Sequence, residues 1–196
     1  MRTVVDPIIE PLWEGIHVLA HVRDGRARLI DEDGDDIGGQ FRAVVEAIGR
    51  DVAADEAVLD GWVTNQATRS GEGLALITVE PPRGVGLLRP PKPGPPRVAP
   101  HDRPEILAFV AVDLLVLDGE PLMDVPLLER KRLLDSVVVT SELVRSSPYV
   151  RPPLERWLPS WQAVGFHGAV LKAANGRYVP GGSADDWFVA LPTPRR

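Results

Sequence analysis

Strand-type and helix-type hydrophobic patterns alternate along this 196-residue chain and predict a mixed α+β fold. Three observations carry that expectation. Apolar and polar residues alternate with period two through Ile16, Val18, Ala20 and Val22, and the Asp24-Gly25 pair then supplies a hairpin turn. The stretch from Ile106 to Leu117 is almost continuously apolar, as in a strand buried on both faces. Phe41, Val44, Val45 and Ile48 recur instead at helical spacing.

Taken in order, the first hairpin returns through Ala27-Arg28-Leu29-Ile30. The acidic run Asp31 to Asp36 follows. It lacks the alternating spacing and terminal glutamate of a calcium loop, because Gly34 comes too early and position 42 is arginine, so it reads as a solvated turn. Residues 41 to 48 read as a short amphipathic helix with Gly49 as its C-cap. Strands are expected at 57 to 64 and at 74 to 80. From Pro81 to Pro104 the prolines are too dense for a central strand or a helix and favour extended polyproline-like structure. This segment is a surface insertion or, alternatively, a docking sequence for a protein partner. Asp118-Gly119 closes the apolar strand, and residues 126 to 138 read as a helix. Leu154, Trp157, Leu158, Trp161 and Val164 share a helical face, within which Pro159 either kinks the helix or begins a second one. Trp157 and Trp161 read as core packing. Short strands at 168 to 172 and 187 to 191, joined by a Gly- and Asp-rich loop from 175 to 186, complete the set.

Composition narrows the function classes. With 44% hydrophobic residues, the length suits one globular domain with a sizeable insertion rather than two domains. No run approaches the ~20 apolar residues of a membrane helix, and Asp6 and Glu10 break any signal pattern, so no membrane association and a cytoplasmic location are expected. Without cysteine there is no disulfide or thiolate metal site, and four scattered histidines offer little for zinc. His17 and His21 lie on one strand face and read as partly exposed polar residues. A net charge of −6 argues against an autonomous nucleic-acid binder while leaving a local basic patch open. The lysines are only three, Lys92, Lys131 and Lys172.

One ordered set of motifs goes further. Glu10-Pro11-Leu12-Trp13-Glu14-Gly15 precedes the hairpin; then come Leu59-Asp60-Gly61, Val112-Asp113-Leu114-Leu115 running on to Asp118-Gly119, and Leu127-Leu128-Glu129-Arg130. His167-Gly168-Ala169-Val170-Leu171-Lys172 and Tyr178-Val179-Pro180-Gly181 with Asp186-Trp187 follow. In content and order these resemble the adenylation domain of ATP-dependent DNA ligases, over roughly residues 8 to 191. The resemblance implies two packed antiparallel sheets with flanking helices, an ATP-grasp-like adenylation-domain architecture with a nucleotide cleft between the sheets. It also implies ATP and magnesium as cofactors.

The positions that do the work in that family differ here. The nucleophilic lysine of Glu-Pro-Lys-Trp-Asp-Gly corresponds to Leu12, which has no lone pair with which to attack a phosphate. The resemblance places Glu32 where the family has a phosphate-contacting arginine and Trp62 where it has a glutamate. Val112 replaces the aromatic that stacks on adenine, and His167 replaces a metal-assisting glutamate. Val189 and Leu191 stand in place of two phosphate-gripping lysines. Phosphoryl transfer depends on positioned cations, so these losses act together. Glu10 and Lys172 survive as candidate cofactor-binding residues; Lys172 either binds an anion or forms a salt bridge. Glu14 replaces an aspartate conservatively.

The expected function is therefore that of a catalytically inactive pseudoenzyme, acting by binding a protein, a nucleotide or DNA ends, with DNA repair as the context by analogy. No metal or cofactor is expected to be retained, and the protein partner is unknown. The alternative is residual nucleotidyl transfer through a non-standard nucleophile. Because the sequence ends at Arg196, no following oligonucleotide-binding domain is expected.

Overall fold

β-Branched and aliphatic residues dominate the strands of the computed structural model, which describes residues 4–66, 106–181 and 187–191. Strand β1 (Pro7–Pro11) precedes the hairpin of β2 (Ile16–Arg23) and β3 (Arg26–Ile30), followed by helix α1 (Arg42–Asp51) and strand β4 (Glu56–Thr64). Then come β5 (Ala108–Leu117), the short β6 (Glu120–Pro121), helix α2 (Leu127–Val137), β7 (Val144–Ser146), helix α3 (Leu158–Ala163), β8 (Ala169–Ala173) and β9 (Trp187–Ala190). Two sheets result, one in the order β1-β8-β9 and one in the order β3-β2-β4-β5-β6, with β7 also pairing β5. Among the described residues the strand pairings are antiparallel except that of β5 with β7. The architecture is α+β, with two sheets and three α-helices among the described residues.

The apolar run that suggested a doubly buried strand is explained by two clusters meeting at β5. Phe109, Ala111 and Leu114 pack with Val18, Leu29, Ile48, Leu59 and Leu134, tying the larger sheet to α1 and α2. Ala108, Val110 and Val112 belong to a second cluster with Ile9, Trp13, Trp161, Phe166 and Ala169, which joins the two sheets. Trp161 is fully buried there, as its helical spacing suggested, whereas Trp157 is only partly buried.

Helix α1 does not stop at Gly49. It runs to Asp51, with Val52 in extended conformation closing it. Gly49 instead makes room for the hairpin turn. A Cβ on it would sit 2.4 Å from the Gly25 carbonyl oxygen, so the helix needs glycine at the point of closest approach. At Pro159 the chain takes the second of the two expected courses. A 3-10 turn at Leu154–Arg156 ends, and α3 begins with the proline in its first turn, where a missing N–H costs no hydrogen bond. Strand β1 carried no expectation of its own, because prolines bound its short apolar stretch; Pro7 and Pro11 sit at its two ends, where they are tolerated. The expected strand at 74–80 and the proline-rich segment at 81–104 lie outside the described residues, as do residues 182–186 of the expected loop. No helix among the described residues is long and apolar enough to cross a membrane.

Candidate functional site

The register of the smaller sheet sets one wall of a cleft. Glu10 opposes Val170, which opposes Val189; the next row on that face places Lys172 beside Trp187. The larger sheet contributes His17 from β2, Asp60 and Trp62 from β4, and Val112 and Asp113 from β5. Together with Leu12, Glu32, Leu127, Arg130, Arg177 and Tyr178, these residues line a cleft of about 560 Å³.

Trp13 and Gly15 fix the local course of the opening motif. The Trp13 indole nitrogen donates to Ser147 Oγ at 2.9 Å, and its ring meets Phe166 edge-on with centroids 4.8 Å apart. Gly15 has φ of +149°, and a Cβ there would lie 2.4 Å from the Val63 carbonyl oxygen, so no other residue fits without displacing β4. Just ahead of these anchors Leu12 donates its backbone N–H to the Gly168 carbonyl at 3.0 Å and turns its side chain to the cleft. A Cβ built on Gly168 would lie within 3.0 Å of Leu191 and 3.3 Å of Leu12, so these two leucines flank the glycine together.

Beneath Leu12 lies a buried charge cluster. Glu10, 1% exposed, meets Lys131 Nζ at 2.7 Å through one carboxylate oxygen and Lys172 Nζ at 3.2 Å through the other. Burial pushes the Glu10 carboxyl up, but the two ammonium groups outweigh it and hold it below the usual carboxylate range. Burial pushes the Lys172 ammonium down, yet Glu10, Asp113 and Asp60 outweigh it and hold it above the usual lysine range. Lys131 also donates to the Val112 carbonyl at 2.6 Å. Glu10 is thus an inward-facing counter-ion rather than an open acceptor at the end of the cleft.

A second cluster lies on β5. Arg130 grips Asp113 with two bonds, Nε to Oδ1 at 2.8 Å and an Nη to Oδ2 at 2.7 Å, and donates to the Val125 and Gly176 carbonyls. A third belongs to His17. Its Nε2 lies 2.6 Å from Asp60 Oδ1 and its Nδ1 lies 3.1 Å from Glu32 Oε1, while Tyr178 donates to Asp60 Oδ2 at 3.1 Å. Ionised carboxylates only accept, so both contacts are satisfied together only by the imidazolium. The Asp60 hydrogen bond above all raises the His17 pKa, against a smaller lowering by burial. Desolvation first, and the Asp60 carboxylate second, push the Tyr178 hydroxyl far above its ordinary range. His17 is therefore not a loose polar residue of the strand, and Glu32, although exposed, is more than part of a solvated turn.

Of the residues singled out in the sequence, Glu10, Leu12, Glu32, Trp62, Val112, Lys172 and Val189 line the cleft. Glu14 and His167 lie outside the lining and pair with each other on the exposed surface at 2.8 Å. Leu191 also lies outside it, 66% exposed. Lys131 and His17 fall outside the family-like motifs, and Arg130 falls within one that implies no role for its side chain. A signal for Arg130 and Lys131 exists: Leu127, Arg130, Lys131 and Leu134 recur at helical spacing, which places two cations on the buried stripe of α2.

The fold is that of the DNA ligase adenylation domains. Mycobacterial DNA ligase D complexed with ATP and MES superposes with a TM-score of 0.63 at 21% identity, covering 94% of this chain and 54% of that one. The ligase domain of M. tuberculosis LigD gives 0.62 at 20% identity, covering 97% and 57%. In sequence, the family model for the ATP dependent DNA ligase domain matches residues 2–188, and the chain belongs to that family. The DNA ligase of Methanothrix thermoacetophila is 27% identical over 198 residues, which span 94% of this chain and 32% of that protein. DNA ligase C1 of Mycolicibacterium smegmatis is 26% identical over 175 residues, spanning 88% and 48%. The chain thus spans about a third to a half of the length of these relatives.

Proposed function

We propose that this chain is a degenerate adenylation domain of the ligase family, one that does not adenylate itself and acts by binding. The observation that carries this reading is the side chain at position 12: between Trp13 and β1, where the family motif places its nucleophile, an aliphatic leucine faces the cleft. The surroundings agree with it. Among the described residues, each cation lining the cleft is already committed to a carboxylate, Lys172 to Glu10, Arg130 to Asp113 and Arg177 to Asp124. Stabilising the charge on a transferring phosphoryl group requires cations aimed at the ligand rather than at the protein.

Magnesium and triphosphate, which the family implies, fit these residues poorly. Asp60 and Asp113 are occupied by His17, Tyr178 and Arg130, and the described residues form no group of three or more potential ligands able to hold a metal ion. Nor does Lys172 serve as a substitute nucleophile. Attack requires a neutral amine, and the carboxylates around Lys172 keep it protonated. The direct test is incubation with α-radiolabelled ATP and magnesium beside an active DNA ligase, followed by denaturing electrophoresis. The expected result is no label on this protein; a covalently labelled band, stable to denaturation, would sink the reading.

A further inference from the structure

Charge and shape in the cleft bear on what it holds. Four carboxylates belong to its lining, Glu10, Glu32, Asp60 and Asp113, against three cations, and every one of those cations has a carboxylate partner within 3.2 Å. With His17 as an imidazolium the lining is close to neutral; without that proton it is negative. A polyphosphate entering here would meet no uncommitted positive charge among the described residues and would approach Glu32, whose side chain is 76% exposed. The remaining walls are apolar and partly aromatic, with Trp62 and Val112 on the larger sheet and Trp187, Val170 and Val189 on the smaller one. A volume of about 560 Å³ falls in the range of small-molecule sites.

Resting on the reading of the cleft as a non-adenylating site, we propose that it binds an uncharged planar heteroaromatic molecule and discriminates against phosphorylated forms of the same molecule. The tryptophan and valine walls supply contact area, and the Tyr178 hydroxyl, which donates its proton to Asp60, keeps its oxygen as an acceptor for a ligand N–H. Selectivity comes from the carboxylates, which neutralise the cations that a phosphate would need.

Adenosine and ATP differ only in their phosphates and so isolate this term. Calorimetric titration of the purified chain with each, with and without magnesium, is expected to show adenosine binding at least tenfold more tightly than ATP. Equal or tighter binding of ATP, or no saturable binding of adenosine up to millimolar concentration, overturns the proposal. Two variants locate the site without touching the Glu10 and Asp113 clusters. Trp187→Ala, at a residue already 42% exposed, is expected to weaken adenosine about tenfold, on the scale of one lost stacking contact. Glu32→Gln is expected to narrow the adenosine preference by about threefold, on the scale of one partly screened charge. Unchanged affinities in both variants also overturn it. Tight ATP binding without covalent label defeats this proposal alone and leaves the non-adenylating reading standing, whereas label defeats that reading itself.

Discussion

Substituting Glu10→Gln keeps the shape of the side chain and removes the charge that two lysines share. Lys131 is the decisive partner, since it is fully buried and lies 2.7 Å from the carboxylate. Attraction at such a distance is on the order of 4–6 kcal/mol at an effective dielectric of 20, and removing one partner of a buried pair typically costs about 3–5 kcal/mol. The expected loss is therefore about 3–5 kcal/mol, a large part of the ~5–15 kcal/mol stability of a typical domain. Urea denaturation followed by tryptophan fluorescence measures it.

One pH signature accompanies that loss. In the native protein the lowered Glu10 pKa contributes stability that is fully present above the unfolded value of about 4.3 and is lost as pH falls through the folded value. The variant lacks this acid-sensitive contribution. A loss below about 1 kcal/mol with an unchanged pH profile would refute the claim that this cluster holds β1, β8 and α2 together.

Three further outcomes are expected. Leu12→Lys restores the family nucleophile without freeing Lys172, Arg130 or Arg177 from their carboxylates, so radiolabelled ATP should still leave the variant unlabelled; appreciable labelling would show the rest of the cleft to be competent. The raised His17 pKa contributes stability that is fully present below the unfolded value of about 6.5 and is lost as pH rises through the folded value. Stability measured from pH 5.5 to 9 should fall more for wild type than for His17→Asn, and parallel profiles would contradict the doubly bonded imidazolium. Gly49→Ala should destabilise despite the roughly 1 kcal/mol that alanine returns in helix propensity, because overpacking against the Gly25 carbonyl costs about 1–3 kcal/mol. A more stable Gly49→Ala variant would mean that the hairpin turn yields easily.

Periodicity made most of the fold readable. The β2–β3 hairpin, β4, β5, α1 and α2 each carry a pattern that only one kind of element satisfies, so sequence expectation and structure differ there by a few residues at the ends. Gly49 was misread because a glycine after an apolar helical face looks the same whether it caps the helix or lets another backbone approach. The motif positions Glu10, Leu12, Trp62, Val112, Lys172 and Val189 were found by resemblance and converge on the cleft, while Glu14 and His167 pair with each other outside it.

That these segments are strands and helices in a ligase-like order, and that position 12 holds a side chain unable to attack phosphate, is legible from the residues alone. Those properties are local: hydrophobic period, turn chemistry and the identity of one residue are readable without knowing what lies nearby. Only the tertiary structure decided what the charges do. Glu10 and Lys172 are 162 positions apart, His17 and Asp60 43 apart, and Asp113 and Arg130 17 apart, and a charge is an open ligand or a spent counter-ion according to which partner the fold brings within about 3 Å. Sheet register, not residue type, turned the surviving Lys172 from a candidate phosphate grip into a partner for Glu10.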